Sequence, residues 1–367
     1  MTDTARDDSV LRIAHVVANL EIGGAERFAV DLALAQRRNG ADARLVAMYG
    51  GGPLLDVARG AGLPIHVIER RLRYDPIAWR RLVATLRAAR PEVVHLHDAS
   101  PILLGVPAAR LAGCRATVGV RHHVRPIGTV REALLLCCEQ RLSACVASSR
   151  AVASFLASMG RRADLPVVHC GIDVARFPCR EPRAALAPRI LSVGRLDEQK
   201  GHLVLVEAFA RVRQERPEAT LVIAGDGPLR DAMTARARAL GVGDALTLVG
   251  TVVDTAPLLA GSDVFCFPSL WEPQGLALLE AQAAGVPVVA SGVDGIFETV
   301  RSGETGVLVP PGDPAALARA LVELAADPAR CAALARCARA EIARWDLSVA
   351  AARYDGIYRM ALDGRPS

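Results

Sequence analysis

An α/β protein of two doubly wound parallel-sheet domains in tandem is what this sequence predicts, on three observations. Its 367 residues are about twice the length of an ordinary domain. Short apolar runs bounded by turns alternate with longer amphipathic stretches along the chain, the pattern of parallel strands joined by helices. That alternation breaks once, between Pro178 and Pro188, into Pro, Arg and Ala, and then starts afresh, which marks a linker.

In the first half the strand-like runs are Arg12 to Val17, Ala43 to Met48, Ile65 to Ile68, Glu92 to Leu96, Ala116 to Val120 and Ala144 to Ser148. Between the first two, Ala25 to Arg38 places Phe28, Leu32 and Ala35 on one stripe, with Glu26 near its start and Gly40 after its end, so a helix should cover one sheet face. In the second half the runs are Arg189 to Val193, Ala219 to Ala224, Ala245 to Val249, Asp263 to Phe267 and Val286 to Ala290, followed by Ala-rich helices beyond Asp313. Ligands of such sheets bind beyond the C-terminal strand ends, which makes the cleft between the domains the expected site.

Composition removes several classes of function. Hydrophobic residues make up 51% and charged residues 23%, a packed protein rather than a disordered one. Aromatics are only 4% and there is no stacking platform or zinc module, so nucleic acid is not the expected partner. The nine cysteines are odd in number and include no Cys-x-x-Cys pair, which fits reduced thiols. Asp3, Asp7 and Asp8 stand where a signal peptide needs positive charge, and no apolar run is long enough to span a membrane; a cytoplasmic protein is expected. Charge is uneven, with 25 basic against 16 acidic residues up to Arg180 and 19 against 23 beyond it. Arg70, Arg71, Arg73, Arg80, Arg81, Arg87 and Arg90 gather around one helix that could meet an anionic acceptor or the inner face of a membrane, although a solvated helix face explains them more simply.

Lysine usage is informative: of 44 basic side chains only Lys200 is Lys. It follows a strand in Val193-Gly194-Arg195-Leu196-Asp197-Glu198-Gln199-Lys200-Gly201 and precedes a helix, so two cations and free backbone N–H groups converge in the outline of a phosphate cradle. A second strand-to-helix segment runs from Phe267 to Ala281. Glu272 lies in its loop and Glu280 inside its helix, and both can face a ligand at the helix N-terminus; among Leu278, Leu279, Ala281 and Ala284, Glu280 is a poor place for an idle charge. Gly225-Asp226-Gly227-Pro228 forms another tight strand-to-helix turn, either structural, with Asp226 as a cap, or a ligand contact.

In the first half, Gly23-Gly24-Ala25-Glu26 opens the helix after the first strand and lets a ligand approach the backbone. A dinucleotide fingerprint would need a further glycine and an acidic residue after the second strand, and both are missing. His122 and His123 end one strand and His95 and His97 the previous one, so four imidazoles could line one rim; substrate hydrogen bonding ranks above metal, with packing close behind. No Asp stands two residues from another, so the Asp-x-Asp clamp for a metal-bound diphosphate is absent, and Arg195 and Lys200 are left to stabilise a leaving group without metal.

Together these segments resemble the retaining glycosyltransferases of GT-B fold that carry a Glu-x7-Glu motif, the family-four or group 1 enzymes. The likeness covers nearly the whole chain: Gly23 to Glu26, His122, Ser148-Ser149, Gly171-Ile172-Asp173, Gly194-Arg195 with Lys200-Gly201, Gly225-Asp226-Gly227, Glu272 to Glu280, and Gly306 to Asp313. It implies two Rossmann-like domains facing across a cleft: an acceptor-binding domain over 1–180, a donor-binding domain over 181–345, and a tail over 346–367 returning to the first. By the same resemblance Arg195 and Lys200 bind the donor diphosphate, Glu280 the ribose, Glu272 the transferred sugar, and Glu298 or nearby backbone the donor. Gly24, Gly194, Gly225, Gln274, Gly275 and Leu276 border the donor, and Gly23, His97 and His123 the acceptor. His122 matches the family's catalytic-site histidine, with His123 as the fallback.

The reaction so implied is front-face substitution. The leaving diphosphate oxygen takes the acceptor's proton, and no enzyme nucleophile, metal or resident cofactor is required. The donor is a nucleoside diphosphate sugar, a UDP-sugar by expectation. The acceptor is a glycan, a lipid-linked glycan or a small molecule, in cell-surface glycan or secondary-metabolite synthesis. Two departures stand out: Gln274 occupies a position where many members have an aromatic or small residue, and Cys170 one where Asn is common. A nucleotide-sugar epimerase or hydrolase of similar form, and a non-catalytic sugar-nucleotide-binding protein, are the competing readings.

Overall fold

The structure, a computed structural model, describes residues 10–70, 75–179 and 187–364. Asp3, Asp7, Asp8, Arg71, Arg73 and the boundary set at 180/181 lie outside the described residues. Twelve strands are described: β1 (Arg12–Val17), β2 (Asp42–Ala47), β3 (Ile65–Val67), β4 (Val93–His97), β5 (Ala116–Arg121), β6 (Ala144–Ala147), β7 (Arg189–Val193), β8 (Thr220–Ala224), β9 (Leu246–Gly250), β10 (Val264–Phe267), β11 (Val288–Ser291) and β12 (Val307–Val309). β12 was not among the expected strands. It is three residues long and set between Gly306 and Pro310-Pro311, so it reads as part of a turn.

The strands form two six-stranded parallel sheets, ordered β3-β2-β1-β4-β5-β6 and β12-β11-β10-β7-β8-β9. Each half therefore reverses direction once, between β1 and β4 and between β7 and β10, which are the places where doubly wound sheets open a ligand crevice. Central strands such as β4, β5 and β10 are buried along their whole length because helices cover both faces, whereas β9 at a sheet edge alternates in exposure.

The final helix, Leu347–Leu362, leaves the second unit and packs on the first. Its Ala350, Ala351, Tyr354, Ile357 and Tyr358 join the core formed by β1, β5 and the helix Gly24–Arg38. The crossing is stitched by backbone: Ile172 N donates to Trp345 O at 2.9 Å and Leu347 N donates to Ile172 O at 2.9 Å. A Cβ on Gly171 would lie 2.8 Å from Leu347 Cα and 2.9 Å from Asp346 O, so only glycine lets the two segments pass this closely.

Candidate functional site

The second half brings its two sequence segments together. β7 and β10 are neighbours, so the loops that follow them face each other across the switch point. Leu270 N donates to Gln199 O at 2.7 Å and Gln199 Nε2 to Trp271 O at 3.2 Å, which locks the loops side by side. The Lys200 ammonium donates to Glu272 Oε2 at 2.5 Å, with Ser269 Oγ on the same oxygen at 3.3 Å. The Lys200 stem lies against Gly194, where an added Cβ would come within 3.2 Å of it. Glu272 is 6% exposed; its backbone N–H donates to Asp294 Oδ2 at 3.0 Å. Arg195 is open to solvent beside them, paired with Asp197 at 3.1 Å. Gly225, at φ +147, passes so close to Gly194 that a Cβ would lie 1.9 Å from its carbonyl oxygen, so the Gly225-Asp226-Gly227 turn is needed for the β7 and β8 loops to pack.

Glu280 lies on the helix Leu276–Ala283, which Gly275 opens. Its Oε2 accepts from Thr255 Oγ1 at 2.6 Å. Burial pushes its pKa up to about 7, against the Thr255 bond and the charge of Arg27, with Asp31 and Asp254 adding to the rise. Arg27 and Asp31 belong to the first unit, so Glu280 sits where the two units meet. Gly24 and Leu276 also meet there: a Cβ on Gly24 would be 3.6 Å from Leu276 Cδ1.

Two residues expected at the donor are engaged by the first unit. Both oxygens of Glu298 are engaged by the first unit: Oε2 accepts from Arg150 N at 3.0 Å and pairs with His169 Nε2 at 2.7 Å, and Oε1 accepts from Ala151 N at 2.9 Å. Burial raises its pKa, but the His169 and backbone bonds outweigh it and hold the carboxylate below its ordinary value. Glu298 is thus a latch on the N-terminus of the helix Arg150–Ser158. Gln274 is 4% exposed, and its amide spans the backbone of Cys170, Oε1 accepting from Cys170 N at 2.8 Å and Nε2 donating to Cys170 O at 2.7 Å. The two departures from the family pattern are one another's partners.

The expected rim of four imidazoles divides. His15, which the sequence reading passed over, pairs in register with His95 across β1 and β4, and His97 follows on the same sheet face. His15 Nδ1 and His97 Nε2 are 3.0 Å apart; His15 Nε2 meets Gln36 Oε1 at 2.7 Å, and His95 Nδ1 meets Tyr358 OH at 2.7 Å. Among the described residues these three imidazoles are close enough to share an ion, yet the bonds tie them to each other, to the helix Gly24–Arg38 and to the final helix. Burial lowers their pKa values, that of His15 to about 4 despite the Gln36 bond, so they are neutral hydrogen-bonding groups. His122 extends this buried set: it is 8% exposed, stacks on His97 with ring centroids 6.3 Å apart, and places Nδ1 3.7 Å from Cys170 Sγ.

His123 lies apart from that set. It lines a pocket of about 280 Å³ with Glu26, His97, Asp98, Ser100 and Arg131, at the C-terminal ends of β1, β4 and β5. His123 Nε2 and Asp98 Oδ2 are 2.6 Å apart. The hydrogen bond and charge of Asp98 raise the pKa of His123, and His123 in turn holds Asp98 well below the carboxylate range despite burial. Glu26 folds its carboxylate over Gly23, and burial raises its pKa, opposed by its own backbone N–H and by Arg195 and His123. Asp98, Ser100 and Arg131 were not singled out from the sequence. Asp98 directly follows His97 at a strand end and was within reach of the same argument; Arg131 carries no sequence signal. Beneath the pocket, fully buried Arg121 binds Glu139 at 2.6 Å and Glu132 at 3.3 Å, and Arg161 meets the same two carboxylates at 2.9 and 3.3 Å.

Known proteins match this arrangement in both halves. Residues 22–176 match the family described as Glycosyltransferase Family 4, and 187–327 that described as Glycosyl transferases group 1. A glycogen synthase of Mycobacterium tuberculosis is 37% identical over 276 residues, 70% of this chain and 66% of the relative's length. A GDP-mannose-dependent alpha-(1-6)-phosphatidylinositol monomannoside mannosyltransferase of the same organism is 31% identical, over 74% of this chain and 76% of its own. In fold, the crystal structure of Anabaena HepE in complex with UDP and glucose superposes with a TM-score of 0.85 at 22% identity, over 94% of this chain and 98% of that one. The chain belongs to the family 4, group 1 glycosyltransferases, with the two-domain GT-B fold.

Proposed function

We propose that this protein transfers a hexosyl group from a UDP-sugar to an acceptor hydroxyl with retention of configuration and without a metal. The observation that carries this reading is the meeting of Lys200 and Glu272, beside Arg195, on the two loops at the β7/β10 switch point, with Glu280 on the helix that the second loop opens. A diphosphate seated there would meet the Lys200 and Arg195 cations, which stabilise the charge that grows on the leaving oxygen. Glu272, held by Lys200 and Ser269, is a rigid acceptor for sugar hydroxyls, and Glu280 faces the unit boundary, where a ribose would lie. The leaving oxygen then takes the acceptor's proton as the new glycosidic bond forms on the same face. Positioning and electrostatics supply the rate.

The acceptor hydroxyl fits the pocket of Glu26, Asp98, His123 and Arg131, across the cleft from Arg195. His123, rather than His122, is then the histidine that meets substrate. The mannosyltransferase relative is described as GDP-mannose-dependent and the HepE crystals hold UDP, so the test must offer both bases. A thermal-shift screen of nucleotide sugars, then acceptor trials with the best donor, should give turnover that Lys200→Ala and Glu280→Ala each reduce at least about 100-fold while the chain stays folded by circular dichroism. Near-normal turnover in both variants would falsify the assignment. Donor consumed with no acceptor present, read by mass spectrometry, would point to an epimerase or hydrolase instead.

A further inference from the structure

A second pocket, of about 320 Å³, opens beside the first and has the opposite chemistry. Met48, Ile68, Pro76, Trp79, Leu82 and Leu104 line it, with Tyr49 on one wall. Its volume is in the range of small-ligand sites, which are mostly apolar with a few polar groups that orient the ligand. The polar groups are in the neighbouring pocket, and the two linings touch. The Tyr49 hydroxyl, on the apolar side, hydrogen-bonds the Ser100 side chain, on the polar side, and Arg131 of the polar pocket donates to Ser100 Oγ at 3.4 Å. The helix Ala99–Ala112 borders both, presenting Ser100 to one and Leu104, a turn further on, to the other. At the mouth the Arg70 guanidinium stacks over the Tyr49 ring at 3.8 Å. Leu104 and Ile77 remain exposed at 36% and 62%.

We infer that the apolar pocket is an aglycone subsite: it takes the hydrocarbon portion of an amphiphilic acceptor whose hydroxyl-bearing head occupies the Glu26, Asp98 and His123 pocket. The inference rests on the reading of that polar pocket as the acceptor site. The adjacency of the two cavities, whose linings meet at the Tyr49–Ser100 hydrogen bond, selects this occupant, because one molecule with a polar head and an apolar end satisfies both linings. A purely polar glycan would leave the second cavity unfilled. Polar headgroups end at Ser100, and the side chains from there to Leu82 offer contacts only to carbon, apart from Tyr49 and the flanking Arg70 and Asp75.

The probes are methyl, butyl, hexyl and octyl β-D-glucosides, kept below their micelle concentrations and titrated calorimetrically into the full chain. Affinity should rise about two- to fourfold for each methylene that enters the pocket, then level off when it is full. An octyl-length glucoside with a diazirine at its tail should label peptides that contain Trp79 or Leu104. Leu104→Arg, at an exposed position that tolerates the change, should flatten the chain-length series, and Leu104→Phe should shorten the chain at which it levels off. Affinity independent of chain length, or label placed elsewhere on the molecule, overturns the inference. Titration of UDP and GDP into the same preparations reads the donor site separately. A chain-length series without nucleotide binding would sink the transferase reading and leave the subsite standing, and nucleotide binding with a flat series would do the reverse.

Discussion

The two halves of this molecule have the same strand order and the same switch point, yet they build their sites from different materials. After β7 and β10 the second half uses glycine turns, one lysine and two glutamates, all on two strand-to-helix segments. After β1, β4 and β5 the first half uses imidazoles, a His123–Asp98 pair and a buried cluster of arginines and glutamates drawn from many segments. A shared topology sets where a site lies and leaves its chemistry to the loops. It also separates what each half should lose on mutation: the loops of the second half should cost function first, and the charge cluster of the first should cost stability first.

The largest effect is expected at Arg121. It is fully buried between Glu132 and Glu139, and Arg161 alone cannot neutralise both carboxylates. Arg121→Met leaves a buried negative charge and should destabilise the first unit by about 3–5 kcal/mol, lowering its unfolding temperature on the order of 10 °C. Calorimetry of the variant, with UDP titration on the folded fraction, compares the halves directly. An unchanged melting profile would remove the contrast drawn above.

Legibility in the sequence follows the same division. The placement of Glu272 with Glu280, and of Arg195 with Lys200, was readable because each pair shares one strand-to-helix segment, where spacing fixes direction. Eleven strands were readable from apolar runs, and β12 escaped because its three residues, between Gly306 and Pro310-Pro311, read as part of a turn, whereas the equally short β3 stood in a longer apolar run to Ile68. The first half's site was only partly readable. His15 pairs with His95 through sheet register, 80 residues apart in the chain, and Gln36 and Tyr358 reach the same imidazoles from two different helices. Motif position did not foretell the partners of two residues expected at the donor. Glu298 and Gln274 belong to the boundary between the units, and which way a side chain turns from a loop is decided by the partner across the gap.

That boundary supplies the next smaller effect. Gln274 satisfies both the N–H and the C=O of Cys170, and Gln274→Ala would strand two buried backbone groups beside the crossing at Gly171 and Ile172. The expected loss is about 1–3 kcal/mol. Hydrogen exchange should quicken at residues 168–173 and remain unchanged in β4 and β5. A variant with native protection there would show that the Gln274 and Cys170 pairing is incidental. Placing Asn at position 170 in the Gln274→Ala background tests whether an amide from the other side can replace the clamp.

The smallest and most selective effect is a pH dependence at Glu280. Its pKa in the folded chain is raised to about 7 from an ordinary carboxyl value of 4.5, by burial against the Thr255 bond. Below pH 4.5 the group is protonated folded or unfolded and contributes nothing. Between 4.5 and 7 the unfolded chain releases a proton that the folded chain keeps, so this group lowers stability as pH rises, and the penalty is constant above 7. Ribose hydroxyls donate best to the ionised carboxylate, so nucleotide affinity should move the opposite way, rising about tenfold between pH 6 and pH 8. The β-phosphate of the nucleotide also ionises in that range, and Glu280→Gln separates the two. The variant loses the Glu280 contribution and keeps that of the phosphate, so its affinity should climb less steeply. Identical slopes in the two proteins would mean that Glu280 does not hold the ribose in its charged form.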